Sequence, residues 1–228
     1  MRIAEIYRSI QGEGLLTGTD SVFVRTSGCN LRCGFCDTPY TSWSPEGDDL
    51  TVADVLERVE RLPAQHVVLT GGEPLLWAEV GPLTEEFRRR GRQVTIETAG
   101  TLYLPVACDL MSISPKLSNS APAAERDPTW RDRHERRRHA PEAIRRLTSD
   151  HAYQLKFVVD CPADCAEVEV WLSEFPELAR DRVLLMPQGT SPEELQQRED
   201  WLLPYCDGAG LRYCPRKHIE WYGFRRGT

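Results

Sequence analysis

Ser21-Val22-Phe23-Val24-Arg25-Thr26-Ser27-Gly28-Cys29-Asn30-Leu31-Arg32-Cys33-Gly34-Phe35-Cys36-Asp37-Thr38 joins a short β-prone run to a loop with three of the chain's eight cysteines. The cysteines are spaced C-x3-C-x2-C. A loop that tight can aim three thiolates at one point, and thiolates are the ligands that soft metal centres and iron–sulfur clusters take. The count is informative. A structural zinc site is closed by four ligands, and no obvious fourth lies close by in the sequence. A cubane cluster held by three thiolates keeps one iron open for another ligand. The stretch therefore predicts an iron–sulfur loop at the carboxyl end of a strand, where α/β folds bind their ligands.

The same arrangement recurs outward from it. A strand over Ile3 to Ile10 runs into Gln11-Gly12-Glu13-Gly14, and one over His66 to Thr70 runs into Gly71-Gly72-Glu73-Pro74. Glycines there let a backbone approach a ligand closely, and Glu73 offers a charged acceptor or simply a turn. Further strands are expected at Gln93 to Thr98, Asp109 to Ser114, Tyr153 to Asp160 and Arg182 to Met186. Amphipathic patterns predict helices at Thr51 to Leu62 (with Thr51 as cap), Val80 to Arg90, Ala163 to Phe175, and Pro192 to Leu203 with Ser191 as cap. Alternating β and α elements imply a mostly parallel sheet with right-handed crossovers. Six or so strands are fewer than a full barrel's eight, so the expectation is a partial, open (β/α)6-type barrel. It forms a single domain over residues 1–228, with its site at the carboxyl mouth.

Residues 117–150 differ in texture. Between Glu125 and Arg146 stand eight arginines and five acids, in a chain of net charge -7. This charged insert reads as a solvated helix surface or mobile segment, or else as a lid or docking face for an acidic partner. The overall charge excludes a general nucleic-acid binder, which wants a basic surface, and leaves room for a small anion held by a few cations. No apolar run reaches the roughly 18 residues a membrane span needs, and Met1 to Ile10 lacks a signal-peptide core. The expected location is cytoplasmic, where cysteines serve metal or redox chemistry more than disulfides. Cys108, Cys206 and Cys214 read as core thiols, Cys161 and Cys165 as a helix start without a second cluster, and His218 as a packing or hydrogen-bonding residue.

The cysteine loop with Gly71-Gly72-Glu73-Pro74 resembles the radical S-adenosylmethionine (SAM) superfamily. There, three cysteines hold a [4Fe–4S] cluster whose fourth iron chelates SAM. Ser9-Ile10-Gln11-Gly12-Glu13-Gly14, Phe23-Val24-Arg25, Cys36-Asp37-Thr38, Leu69 to Pro74 and Ser114-Pro115-Lys116 are together similar to 7-carboxy-7-deazaguanine synthases. So is the tail from Cys214-Pro215-Arg216-Lys217-His218 to Thr228. The resemblance covers nearly the whole chain. It implies conversion of 6-carboxy-5,6,7,8-tetrahydropterin to 7-carboxy-7-deazaguanine with loss of ammonia, toward queuosine and archaeosine.

Residue by residue, the resemblance implies that Cys29, Cys33 and Cys36 ligate the cluster and that Thr38 ligates Mg²⁺. Ile10, Gln11, Gly12, Arg25 and Thr70 would bind the pterin, with Arg25 anchoring its carboxylate. Gly72, Glu97, Ser114, Pro115, Lys116, Met186, Pro187, Gln188 and Gly189 would contact SAM. Ala99 and Met186 stand where many members carry Asn and Gln. A flavodoxin- or ferredoxin-type electron donor and a homodimer are also implied, with no nucleic-acid or membrane partner. Two other readings share some of these features: an activase that makes a glycyl radical on a partner, and a non-catalytic zinc-binding protein. The first does not require Gln11 to Gly14, Arg25 and Thr38 together. The second does not need glycines at strand ends.

Overall fold

Strand alternation divides this sheet into two chemically opposite faces. The computed structural model describes residues 1–228. Its strands are β1 (Arg2–Ile10), β2 (Asp20–Thr26), β3 (Asp48–Asp49), β4 (His66–Gly71), β5 (Gln93–Thr98), β6 (Leu110–Ile113), β7 (Tyr153–Val159), β8 (Val183–Pro187) and β9 (Arg212–Tyr213). They form one open sheet in the order β3-β1-β2-β4-β5-β6-β7-β8-β9. From β2 to β9 every pairing is parallel; β1 runs antiparallel to β2, and β3 antiparallel to β1. The six expected parallel strands are all present. The two-residue strands β3 and β9 are too short to show a pattern in sequence.

One set of alternating residues (Val22, Val24, Val67, Leu69, Val94, Ile96, Leu155, Phe157 and their neighbours) belongs to a core of 36 buried residues. The helices are α1 (Pro39–Ser42), α2 (Val52–Glu60), α3 (Val80–Arg89), α4 (Pro128–Arg137), α5 (Pro141–Asp150), α6 (Pro162–Ser173), α7 (Pro192–Ala209) and α8 (Lys217–Tyr222). Val55, Leu56 and Val59 of α2 and Leu83 and Phe87 of α3 enter that core. The other alternating set is polar: Arg25, Thr70, Glu97, Ser112 and Lys156 turn to the inside of the curved sheet. At its floor His66 bridges Ser21 Oγ (2.7 Å) and Thr95 Oγ1 (2.8 Å).

Two expectations about helices need correction. Helix α7 does not stop before Pro204 but runs on to Ala209, where Gly210 ends it with φ 66°. Leu202 and Cys206, both fully buried, carry it across the proline. Residues 117–150 are not all insert, although α4 is the solvated helix surface expected there, with eight of its ten residues exposed. Helix α5 is the crossover between β6 and β7 and buries Ala143, Ile144 and Leu147. Only α4 is an addition, and its buried residue is a histidine, His134.

The carboxyl ends of β2 and β4 meet at backbone distance. Gly72 N–H donates to Thr26 O (3.0 Å), and Glu73 N–H to Gly28 O (2.9 Å). A Cβ on Gly72 would stand 2.1 Å from Gly28 O, so no other residue fits without moving the cysteine loop. Gly72→Ala is expected to cost about 1–3 kcal/mol of stability, the range for overpacking. Gly208→Ala, with nothing within 4 Å on helix α7, should instead stabilise by about 0.5–1 kcal/mol. Denaturant unfolding of the two variants checks both signs.

Candidate active site

The three thiols and most of the other residues singled out in the sequence converge on one cavity of about 530 Å³ inside the sheet. Cys29, Cys33, Cys36 and Thr38 line it from the β2 loop. Ile10, Gln11, Gly12, Arg25 and Thr70 line it from β1, β2 and β4. Gly72, Glu97, Ser114, Lys116, Met186 and Gln188 complete the wall. Three do not line it. Pro115 and Pro187 lie buried beside it, and Gly189 offers its carbonyl to Arg216 instead.

The thiols fit a multi-iron cluster. All eight cysteines are free. Burial pushes the Cys29 thiol up to about 12 and the Cys33 thiol up to about 11. Thiolates there need a cationic centre beside them, and a cluster supplies one. Thr38 heads α1 without capping it, so its hydroxyl contacts only Thr41 Oγ1 at 3.2 Å. A hard oxygen with space around it suits Mg²⁺, which keeps several waters.

Arg25 is held before any ligand arrives. Its Nε donates to Glu5 Oε1 (2.6 Å) and an Nη to the Tyr7 hydroxyl (2.8 Å). The Tyr40 hydroxyl and Arg226 Nε also donate to Glu5, at 2.8 and 3.0 Å. Its Nε and one Nη are therefore committed to orientation. Glu97 is likewise engaged: Gln11 Nε2 donates to one oxygen (3.0 Å) and Thr70 Oγ1 to the other (2.8 Å). Glu73 departs from the charged acceptor considered in the sequence. Its carboxyl is fully buried and accepts from Leu75 N–H (3.1 Å), Thr98 Oγ1 (2.7 Å) and Ala99 N–H (2.9 Å). It ties β4 to β5 and does not face the cavity.

A second set of charges was not singled out as a unit. Lys156 and Arg216 both pair with Glu13, and Arg216 is only 3% exposed. Arg216 donates to Glu13 Oε1 (3.3 Å), Asp37 Oδ2 (2.5 Å) and Gly189 O (2.6 Å). His218 Nδ1 lies 3.7 Å from Glu13 Oε1. Burial opposes it, yet the Lys156, His218 and Arg216 charges hold the Glu13 carboxyl well below its usual range. The signal for Lys156 was its place two residues after Gln154 on an alternating strand. For Arg216 it was the tail motif. Among the cavity-lining residues six cations face three carboxylates (Glu13, Asp37 and Glu97). The surplus favours an anionic ligand.

Helix α4 buttresses the cysteine loop from outside. Arg32 N–H donates to His134 Nδ1 (3.2 Å), and His134 Nε2 lies 2.9 Å from Ser120 Oγ, which donates to Leu117 O (2.6 Å). These partners define a neutral imidazole protonated on Nε2. Arg32 stacks over Trp130 at 4.0 Å and Arg126 over Trp43 at 3.6 Å, while Trp43 Nε1 donates to Cys33 O (3.0 Å).

Comparison with known proteins agrees with this site. The radical SAM superfamily profile matches residues 23–147. A 7-carboxy-7-deazaguanine synthase of Rhodopirellula baltica is 48% identical over 99% of this chain and 88% of its own length. One of Halobacterium salinarum is 44% identical over 95% and 88%. The chain belongs to the 7-carboxy-7-deazaguanine synthase family of the radical SAM superfamily. Membership carries a [4Fe–4S] cluster and SAM as cofactors. The crystal structure of QueE from Escherichia coli superposes with a TM-score of 0.72 at 24% identity, covering 95% of this chain and 94% of that one. That likeness speaks for the fold. No helix is long and apolar enough to cross a membrane.

His134 gives a pH test of the buttress. Burial, reinforced by Arg138, Lys116 and Arg131 against Glu135, pushes it down to about 4 from 6.5. Between those values the unfolded chain binds the extra proton, so stability is lost as pH falls from about 6.5 to about 4. His134→Gln keeps a donor and an acceptor without titrating there. Its urea midpoint is expected to fall less between pH 7 and pH 5 than that of the parent; equal falls would contradict the assignment.

Proposed function

We propose that this chain converts 6-carboxy-5,6,7,8-tetrahydropterin to 7-carboxy-7-deazaguanine with release of ammonia, a carbon–nitrogen lyase step toward queuosine and archaeosine precursors. The carrying observation is that the three cluster thiols, the Gly71-Gly72 turn and the family's substrate residues Gln11, Arg25 and Thr38 face one cavity. Glycyl-radical activation is disfavoured by the same set, since an activase has no need of a pocket lined for a pterin.

When bound, the cluster and SAM together supply a carbon radical able to take the C6 hydrogen. The chain's own residues place the substrate for it. Arg25, oriented by Glu5 and Tyr7, presents its remaining N–H groups to the pterin carboxylate. Thr38 would bring Mg²⁺ to the same carboxylate, giving it a second anchor. Two anchors hold C6 in one place, and positioning supplies much of a rate enhancement. The Gln11 and Gly12 backbone and Thr70 would flank the ring. Ser114, Lys116, Met186 and Gln188 would border SAM, and Glu97, fixed by Gln11 and Thr70, would stand at the junction of the two ligands. The family resemblance supports a cytoplasmic homodimer reduced by a flavodoxin- or ferredoxin-type donor.

Anaerobic turnover with dithionite, SAM, Mg²⁺ and the carboxytetrahydropterin tests the proposal. Product should accumulate over many cycles while SAM is conserved. SAM consumed in step with product would contradict its role as a true cofactor here, and absence of product would contradict the activity.

A further inference from the structure

Helix α4 has two sides with different work. One grips the cysteine loop through His134 and Trp130. The other carries arginines that the fold leaves without carboxylates. Arg131, Arg133, Arg136 and Arg137 of the helix are all exposed, as is Arg126 just before it. Of the eight arginines between residues 125 and 146, only Arg138 and Arg145 form ion pairs. Helix α4 itself carries four arginines (Arg131, Arg133, Arg136 and Arg137) against two acids (Asp132 and Glu135), an excess of +2 in a chain of net charge -7. An isolated positive face on an acidic protein attracts a partner of opposite sign and steers its approach.

The place of this face matters as much as its charge. Arg137 Nη1 lies 3.4 Å from Asn30 O, one residue from Cys29, and Arg32 lies between Cys29 and Cys33. No residue of 117–150 lines the cavity. The helix therefore touches the cluster loop from the side away from the substrate mouth. A protein docked there would approach the cluster without blocking the cavity.

We propose that the exposed arginine face of α4 is the docking surface for a small acidic protein that carries one electron to the cluster. The inference rests on the radical SAM reading above and assigns the donor a place. The step balances simply: the carrier's anionic flavin hydroquinone is oxidised by one electron, the cluster is reduced by one, and no proton need move. Arg126 and Arg137 flank the loop, and Arg131, Arg133 and Arg136 set the charge of the face.

The test uses the cluster-loaded protein and an acidic flavodoxin as probe. Binding of the oxidised flavodoxin is measured over a range of salt for the parent, for Arg133→Glu/Arg136→Glu, and for Arg58→Glu/Arg212→Glu. The last pair is equally exposed but stands on α2 and β9. The α4 pair should weaken binding about tenfold or more at low salt and flatten its salt dependence, whereas the control pair should change it far less. Turnover with dithionite should be unaffected by either pair. Equal weakening by both pairs, or none by the α4 pair, would overturn the assignment. So would tight binding of transfer RNA by the α4 face with none of flavodoxin. If the parent fails even with dithionite, the radical reading itself is at fault, and flavodoxin binding still reports separately on the surface.

Discussion

The site depends on a backbone contact between two loops. Glu73 N–H bonds to Gly28 O, and Gly72 sits so close to that carbonyl that it has no room for a Cβ. The contact locks the first residue before Cys29 to the end of β4. Gly28 N–H bonds in turn to Thr41 O at 2.7 Å, so the far end of the cysteine loop is fixed through α1. A loop suited to ligate a cluster needs its sulfurs held in place beforehand, and here backbone hydrogen bonds fix the loop at both ends. Glu73 secures the same junction from beneath, with both carboxyl oxygens satisfied by β5 and the following turn. A buried polar group of this kind is tolerated because it has its partners.

Arg216 draws together what the loop does not reach. Its guanidinium joins Glu13 after β1, Asp37 after the last cluster cysteine, and Gly189 after β8. Three strand-end segments from distant parts of the chain thus share one buried cation. Removing it would leave Glu13 with Lys156 as its close partner and free Asp37 beside Thr38. Such a network is costly to bury and costly to break, and it explains how an open sheet keeps a defined mouth. The cationic excess of the lining then has a use: a carboxylate-bearing substrate enters a cavity that already compensates its charge.

Much of this was legible in the sequence. The six parallel strands were readable because each carries clustered or alternating apolar residues and is closed by glycine or a polar residue. The cysteine loop, the Gly71-Gly72 turn and Gln11-Gly12 fell at strand ends, where the structure brings them together. Lys156 was harder to see: Tyr153 to Asp160 was expected as a strand, but its inward polar positions, Gln154 and Lys156, were not singled out. Helix α4 was harder still. It packs through His134 and through Trp130 stacked under Arg32, which leave no apolar periodicity. Its charge suggested solvent, yet its one fully buried side chain is a histidine bonded to the cluster loop. The extension of α7 past Pro204 was concealed for the opposite reason, since a proline signals a stop that buried Leu202 and Cys206 override.

The central claim is that Cys29, Cys33 and Cys36 hold a four-iron cluster with one iron left for SAM. Mössbauer spectroscopy of protein reconstituted anaerobically with ⁵⁷Fe addresses it most directly. The account predicts a cubane spectrum in which one iron of four changes its isomer shift and quadrupole splitting when SAM is added. Four irons that all ignore SAM, or a protein that takes up zinc and no iron, would contradict it.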